Sequence, residues 1–358
     1  MSNVNPKQTL RYVWPVVPVV GALAVTAILL LAVGASPGEV ATSYWQGSFG
    51  QADRTLATLA FWVPLLLCAT GLLMTFSAGL WNIGVEGQMI MGSIGASFIA
   101  LQVGAVFEGV PGWVLVPLEL LAAMGLGALW AAVAAVLKTR GGVHEIFGGV
   151  ALNFLAIIAT NFLISGPWQP PEGGSFRGTV PFPERALLPV MRDSAFSPLS
   201  LGLALLALLL VALALLRTSW GLKLRALGSN LRSAFLLGVS SEREAITSMM
   251  LCGALAGLAG AVRVLSWFDS LRQSISGGIG FLAILIVLLA SLRPLWSLLI
   301  ALLFSALLTG GTKMQLTTQL HSSLSGIVQG MLVLFMLLFG DYQRIFKPRQ
   351  TPTKEVEA

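Results

Sequence analysis

The chain reads as an all-α, polytopic membrane helix bundle of about ten transmembrane helices built from inverted repeats, and three observations predict this. Hydrophobic residues fill 56% of its 358 positions and charged residues only 10%, whereas soluble domains carry about 25% charge. Apolar runs of about 20 residues, the length that crosses a ~30 Å hydrocarbon core, recur along the whole chain. Most of the segments between them are short, which leaves no room for a soluble catalytic domain.

Taken in order, the runs cover roughly 12 to 33, 57 to 77, 88 to 106, 112 to 137, 145 to 165, 197 to 216, 245 to 267, 279 to 293, 295 to 310 and 323 to 340. The first is longer than a signal-peptide core and is read as a retained helix, although Val33-Gly34-Ala35 has the form of a cleavage site. The eighth and ninth are short and adjoin at Arg293-Pro294, so they also fit a single re-entrant hairpin.

An even number of spans puts both termini on one side, and the basic residues choose the side. With the termini in the cytoplasm, Arg54, Arg177, Arg185, Arg192, Arg263, Arg272 and Lys313 fall outside and the other Lys and Arg residues inside. The bias favours cytoplasmic termini. It also accounts for the net charge of +6 without any appeal to nucleic acid.

Two segments between spans are longer. Gly166 to Pro198 is rich in proline, too polar to span, and reads as a rigid external loop. Arg217 to Glu244 carries five basic residues, and within it Leu231 to Leu237 has the signals of a short helix, with Asn230 as N-cap and Gly238 as stop. A short helix across the cytoplasmic face is a shape that another protein can grip.

The most telling stretch runs from Ala78 to Gly92, where Trp81, Asn82, Glu86 and Gln88 stand among glycines between two apolar runs. Irregular backbone at membrane depth survives only when packed in protein or facing a watery cavity, and broken spans of this kind are where carriers tend to hold their cargo. Ser276-Gly277-Gly278-Ile279-Gly280-Phe281 opens the eighth run as Trp81 to Gln88 opens the third. Five spans separate them, so runs two to five and seven to ten would point in opposite directions, the pattern of an inverted repeat with a pathway between the halves.

Several chemistries are excluded or unsupported. Gly310-Gly311-Thr312-Lys313 lacks the spacing of a phosphate-binding loop, so the chain binds no ATP by that means. His144 and His321 are too isolated for a metal site, and no Ser, His and Asp arrangement suggests hydrolysis. Cys68 and Cys252 both fall inside runs, which indicates neither disulfide nor zinc site. Ion-driven carriers usually hold several ionisable groups within their spans. Here the embedded ones are few: Glu86, Glu119, His144 with Glu145 near one boundary, and Arg263 near the other.

Five motifs then carry a family pattern. Asn82-Ile83-Gly84-Val85-Glu86-Gly87-Gln88, Gly142-Val143-His144-Glu145-Ile146 with Leu152-Asn153, Gly228 to Val239, Gly253 to Ala261 and Gly278-Ile279-Gly280-Phe281 resemble, in matching order, the permease subunits of bacterial ABC importers. The branch is the branched-chain amino acid, ribose and nucleoside type, and the first two motifs look most like purine-nucleoside and simple-sugar permeases. The sequence departs from that pattern at Leu282-Ala283, where the family usually continues with Asp and Gly, and at Gly148-Gly149.

The resemblance implies a single transmembrane permease domain over 1–358, with a coupling segment at 217–244 and an external loop at 166–198. It implies no cofactor. Its partners would be a cytoplasmic ABC ATPase, a second permease subunit, an extracytoplasmic solute-binding protein and the lipid of the cell membrane. By the same resemblance Gly228, Asn230, Arg232, Ala234 and Gly238 would form the coupling helix that docks on the ATPase. Trp81, Asn82, Glu86, Gln88, Asn153 and Phe281 are the candidate pathway residues, with Trp81 suited to stacking on a base and the polar groups to binding hydroxyls. The Asn and Glu residues have a plainer reading as helix glue, where a buried polar bond is worth about 0.6 to 2 kcal/mol. Asn161, eight residues after Asn153 and nearly on its face, has the same two readings. The rival expectation is an ion-coupled carrier or facilitator that works without ATPases.

Overall fold

The computed structural model describes residues 16–318 except 33, 35, 105, 108, 172–177 and 192–193, together with the isolated positions 330, 331 and 334. It is all-helical among the described residues, apart from one isolated bridge between Gly178 and Arg272. The helices are α1 (Val16–Ala32), α2 (Pro37–Ser48), α3 (Ala52–Ser77), α4 (Val85–Ile99), α5 (Gly112–Thr139), α6 (Glu145–Ser165), α7 (Pro198–Arg217), α8 (Ser219–Ser229), α9 (Leu231–Leu236), α10 (Ser241–Val262), α11 (Ile279–Leu289) and α12 (Pro294–Thr318). Packing divides the chain into two bodies, and the account below concerns the larger, Ser48–Thr309.

Among the described residues, six helices are long and apolar enough to cross a bilayer: α3, α5, α6, α7, α10 with its continuation to Phe268, and Pro294–Thr312 of α12. The chain is thus a multi-pass helical membrane protein by length and composition. Helix α4 has 15 residues and runs on into a π-helical turn, Ala100–Gly104. The eighth predicted run is corrected. It forms only the 11 residues of α11, about 16 Å of helix and half a bilayer, and ends in a turn through Ser291 and Leu292, both at positive φ. Arg293-Pro294 then opens α12, itself long enough to cross, so a half-length helix followed by a full-length one stands where the two runs were read. The tenth run, 323 to 340, lies outside the described residues except for 330, 331 and 334.

Helix α3 is apolar on every side, which suits a helix surrounded by others. From Val63 to Leu73 its residues are buried, and Trp62 fixes it to α12 through an Nε1–H bond to the Leu298 carbonyl at 3.1 Å. Helix α7 is one-sided. Ala204, Leu208, Val211 and Leu215 face inward at helical spacing, while Leu205, Leu206, Leu209, Leu210 and Leu213 face outward, as a lipid-facing helix does.

Helices α4, α5 and α10 pack through bare backbone. A methyl group added at Gly257 would overlap the Ala123 carbonyl oxygen, and one at Gly92 would overlap the backbone of Gly257. Gly127 and Gly253 meet in the same way. Lipid tails are as apolar as leucine, so helices in a membrane gain from close van der Waals approach, and glycine permits it.

The segment 178–191 is laced onto the far end of α10. Thr179 N–H donates to the Leu271 carbonyl at 2.9 Å, Phe182 N–H to Asp269 at 2.7 Å and Leu188 N–H to Leu265 at 3.0 Å. Arg185 reaches the Gly104 carbonyl at 2.6 Å. This part of the proline-rich loop is therefore a strap.

Gly257→Val is expected to force α5 and α10 apart, at a cost of about 1–3 kcal/mol or more. The check is the fraction of monodisperse protein after heating in detergent, which should fall well below that of Ala254→Val.

Candidate functional site

The chain between α3 and α4 is irregular, and its polar groups are consumed by a dense set of bonds. Asn82 and Gln88 exchange amide bonds, Nδ2–H to Oε1 at 3.0 Å and Nε2–H to Oδ1 at 2.9 Å. Asn82 Nδ2 also lies 3.1 Å from the Cys252 sulfur on α10. Asn153 on α6 holds the same turn from the side. Its Oδ1 accepts from Gly87 N–H at 2.7 Å, and its Nδ2–H donates to the Ile83 carbonyl at 3.0 Å. Asn82, Gln88 and Asn153 are all buried, with no more than 4% of their surface exposed.

Glu86 does something else. From the first turn of α4 its carboxylate reaches the start of α11, accepting from Gly278 N–H at 3.0 Å and Gly280 N–H at 2.7 Å. A helix N-terminus presents unpaired N–H groups and a partial positive charge, so it is a natural seat for a buried carboxylate. The two polar interruptions seen in the sequence are thus one object: the first supplies the anion and the second the donors. Gly280 makes the approach possible, because a Cβ there would lie 2.6 Å from the Glu86 carboxylate.

Trp81 and Phe281 stand apart from this network. Both are roughly half exposed, and Trp81 rests against Phe76 with ring centroids 5.4 Å apart. Asn161 is half-buried, and Glu119 lies fully buried on α5. His144 serves as N-cap of α6, its ring nitrogen accepting from Ile146 N–H, and beside it Glu145 pairs with Lys138 at 2.7 Å, closing the α5–α6 hairpin. No group of three potential metal ligands occurs among the described residues.

At the Lys138 end of the bundle, α8 and α9 form a surface feature. Asn230 Oδ1 accepts from Ser233 N–H at 3.0 Å, capping α9, and Gly238 at φ +78° turns the chain away after it. Ala234 faces inward and is buried, whereas Leu231, Phe235, Leu236 and Leu237 are each more than 60% exposed, and Arg232 is exposed beside them. Three large apolar side chains on one six-residue helix, with Leu237 just beyond its end, make an unusual face for solvent. Gly228 connects this feature to the polar break. A Cβ on it would overlap the Ser77 carbonyl oxygen and come within 3.0 Å of Gly79 N, so α8 lies directly on the end of α3 where the break begins.

Residues 54–337 match the family model described as branched-chain amino acid transport system/permease component. The chain belongs to that family. The permease is similar to the guanosine ABC transporter permease protein NupP of Bacillus subtilis, with 31% identity over 90% of this chain and 92% of that one. It is similar to the glucose ABC transporter permease protein TsgB13 of Haloferax volcanii at 29% over 96% and 92%, and to the nucleoside ABC transporter permease protein NupB of Lactococcus lactis at 28% over 86% and 85%. It is accordingly a transport component of an ABC system and not an enzyme, and the family implies ATPase and substrate-binding partners. The reading of an ion-coupled carrier is set aside.

Sequence reasoning found the residues of this site but not their connections. It paired the two breaks by position in a supposed repeat, while the bond between Glu86 and the α11 amides was invisible to it. The contribution of Cys252 and the contact at Gly228 also went unforeseen, since both depend on residues more than 140 positions away in the chain.

Glu86→Ala is expected to strand the Gly278 and Gly280 N–H groups in a buried setting, and Glu86→Gln to keep only part of their pairing. Bonds to a charged group are worth about 1.5–3 kcal/mol, so both variants should melt earlier than the wild type in a detergent thermal-shift series, alanine more than glutamine. Equal midpoints for all three proteins would refute the bridging role.

Proposed function

We propose that this permease forms part of the pathway of an ATP-driven importer for a nucleoside or a related small polar solute such as a simple sugar, working by alternating access. The Glu86 bridge is the observation that carries the reading. It joins two short, interrupted elements, α4 and α11, so that they move as a unit, and the Gly228 contact gives the surface helices α8 and α9 a direct purchase on that unit.

In this scheme both termini and the α8–α9 segment face the cytoplasm, and Leu231 to Gly238 docks in a cleft of the ATPase. The exposed Leu231, Phe235, Leu236 and Leu237 supply the buried area, Asn230 and Gly238 set the shape, and Arg232 offers a charged contact at the rim. The strap at 178–191 then faces the extracytoplasmic solute-binding protein. A second permease, identical or related, completes the conduit. About ten membrane-crossing elements related as inverted halves fit this scheme, with α4 and α11 as the corresponding broken members.

Trp81 and Phe281, exposed beside the bridged breaks, are the candidate walls of the pathway. Asn82, Gln88 and Asn153 hold the turn that presents them. The solute is proposed from the relatives, which are named as permeases for guanosine, nucleosides or glucose.

Proteoliposomes holding the full complex, with ATP enclosed at the cytoplasmic face, should accumulate radiolabelled guanosine or glucose when the cognate receptor is added. Uptake of equal rate without ATP would overturn the proposal. A Phe235→Glu and Leu236→Glu double variant should lose at least about ten-fold in uptake and in co-purified ATPase, because charges placed in an apolar interface go unpaired. Normal ATP-driven uptake by that variant would remove α9 from the docking surface.

A further inference from the structure

Arg263 is a cation inside the apolar body that none of the contacts above uses. It begins the π-helical turn Arg263–Phe268 that extends α10, and 95% of its surface is buried. No acidic side chain pairs with it among the described residues. Its Nε–H reaches the Ile275 carbonyl at 3.3 Å, but Nη1 is buried without any hydrogen-bond partner. Three aromatic rings enclose the guanidinium, with centroids at 4.7 Å (Phe268), 4.9 Å (Trp267) and 5.3 Å (Phe61).

A guanidinium has five donors in a fixed plane, and leaving one end unpaired in an apolar setting is costly. A purely structural arginine would be expected to spend that end on a carboxylate or a carbonyl. Phe61, Trp267 and Phe268, whose rings lie against the guanidinium, are partly exposed, and Gly277, 4.0 Å from Nη2 by its would-be Cβ, is exposed. Asp269 and Ser274 sit at φ 54° and 59°, and Gly277 and Gly278 at 58° and 79°, a run of left-handed residues on the segment that leads to the Glu86 bridge. Single π-helical turns inside α-helices frequently mark functional sites.

We propose that Arg263, Trp267 and Phe268 form a solute-reading site, closed in this conformation, for a flat heteroaromatic ring that carries hydrogen-bond acceptors along one edge, as a purine base does. The rings receive the base by stacking and Nη1 finds its missing acceptor on the base edge, as arginine does with ring nitrogen and carbonyl pairs. Because Ile275 and Gly277 adjoin the donors that Glu86 holds, filling this site bears directly on the bridged unit. The inference rests on the nucleoside reading of the transported solute and narrows it, since a hexose has no acceptor-lined aromatic plane.

The test uses the complete complex in proteoliposomes, with the receptor held constant. An 8-azido purine nucleoside, photoactivated during ATP-driven turnover, should label the Arg263–Phe268 peptide, and excess guanosine but not glucose should suppress the label. Arg263→Gln should cut that label and guanosine uptake by about ten-fold or more, the loss appropriate to a bond with a charged donor. Trp267→Leu, which leaves the arginine in place, should weaken labelling independently, so a folding failure of the first variant does not decide the matter. Labelling confined to other peptides, or unchanged guanosine uptake in a properly assembled Arg263→Gln or Trp267→Leu complex, would overturn the proposal. A wild-type complex that accumulates glucose and no nucleoside would instead defeat the nucleoside reading itself, a result visible before any variant is made.

Discussion

The buried carboxylate of Glu86 against the first N–H groups of α11 is the constraint on which the rest of the molecule is arranged. A helix of 11 residues cannot cross a bilayer, and its first N–H groups have no partner within the helix. Glu86 satisfies two of them with one charged group, and in turn loses the isolation that would make a carboxylate at that depth untenable. Neither element has a sensible position without the other.

Around that bridge, the neighbouring side chains serve to hold one turn still. Asn82 and Gln88 lock each other, Asn153 reaches in from α6, and the turn that carries Glu86 is left with little freedom. Behind it, α4, α5 and α10 meet on glycine faces where no side chain intervenes, which makes a stiff backing. Stiffness of this kind is useful in a conduit that must change state as whole bodies. Packed glycine faces slide or separate; they do not deform by degrees.

The composition and run lengths made the helical membrane class plain, and the boundaries of the third to seventh runs came within a few residues of α4 with its π-helical turn, α5, α6, α7 and α10 with its continuation, because hydrophobic length is a local property. Asn230 and Gly238 were likewise readable as the cap and stop of α9, since a cap needs only its own neighbouring amides. The eighth run was read too long. Its apolar character continues through Leu292, but the chain turns at Ser291 and Leu292, both exposed and at positive φ, and neither residue type announces such a turn. The segment between α7 and α10 likewise holds a second helix, α8, whose place is set by how closely Gly228 can approach the end of α3.

What the amino-acid order determined by itself was the class, the points where apolar runs are interrupted, and the motifs that carry family membership. Each of those is written in consecutive residues. Which interruption touches which was decided only by tertiary structure: Glu86 meets Gly278 and Gly280 almost two hundred positions later, Asn82 meets Cys252, and Arg263 is left with an unmatched donor among three rings. A carboxylate in sequence announces that it needs donors. Only the packed helices say whose.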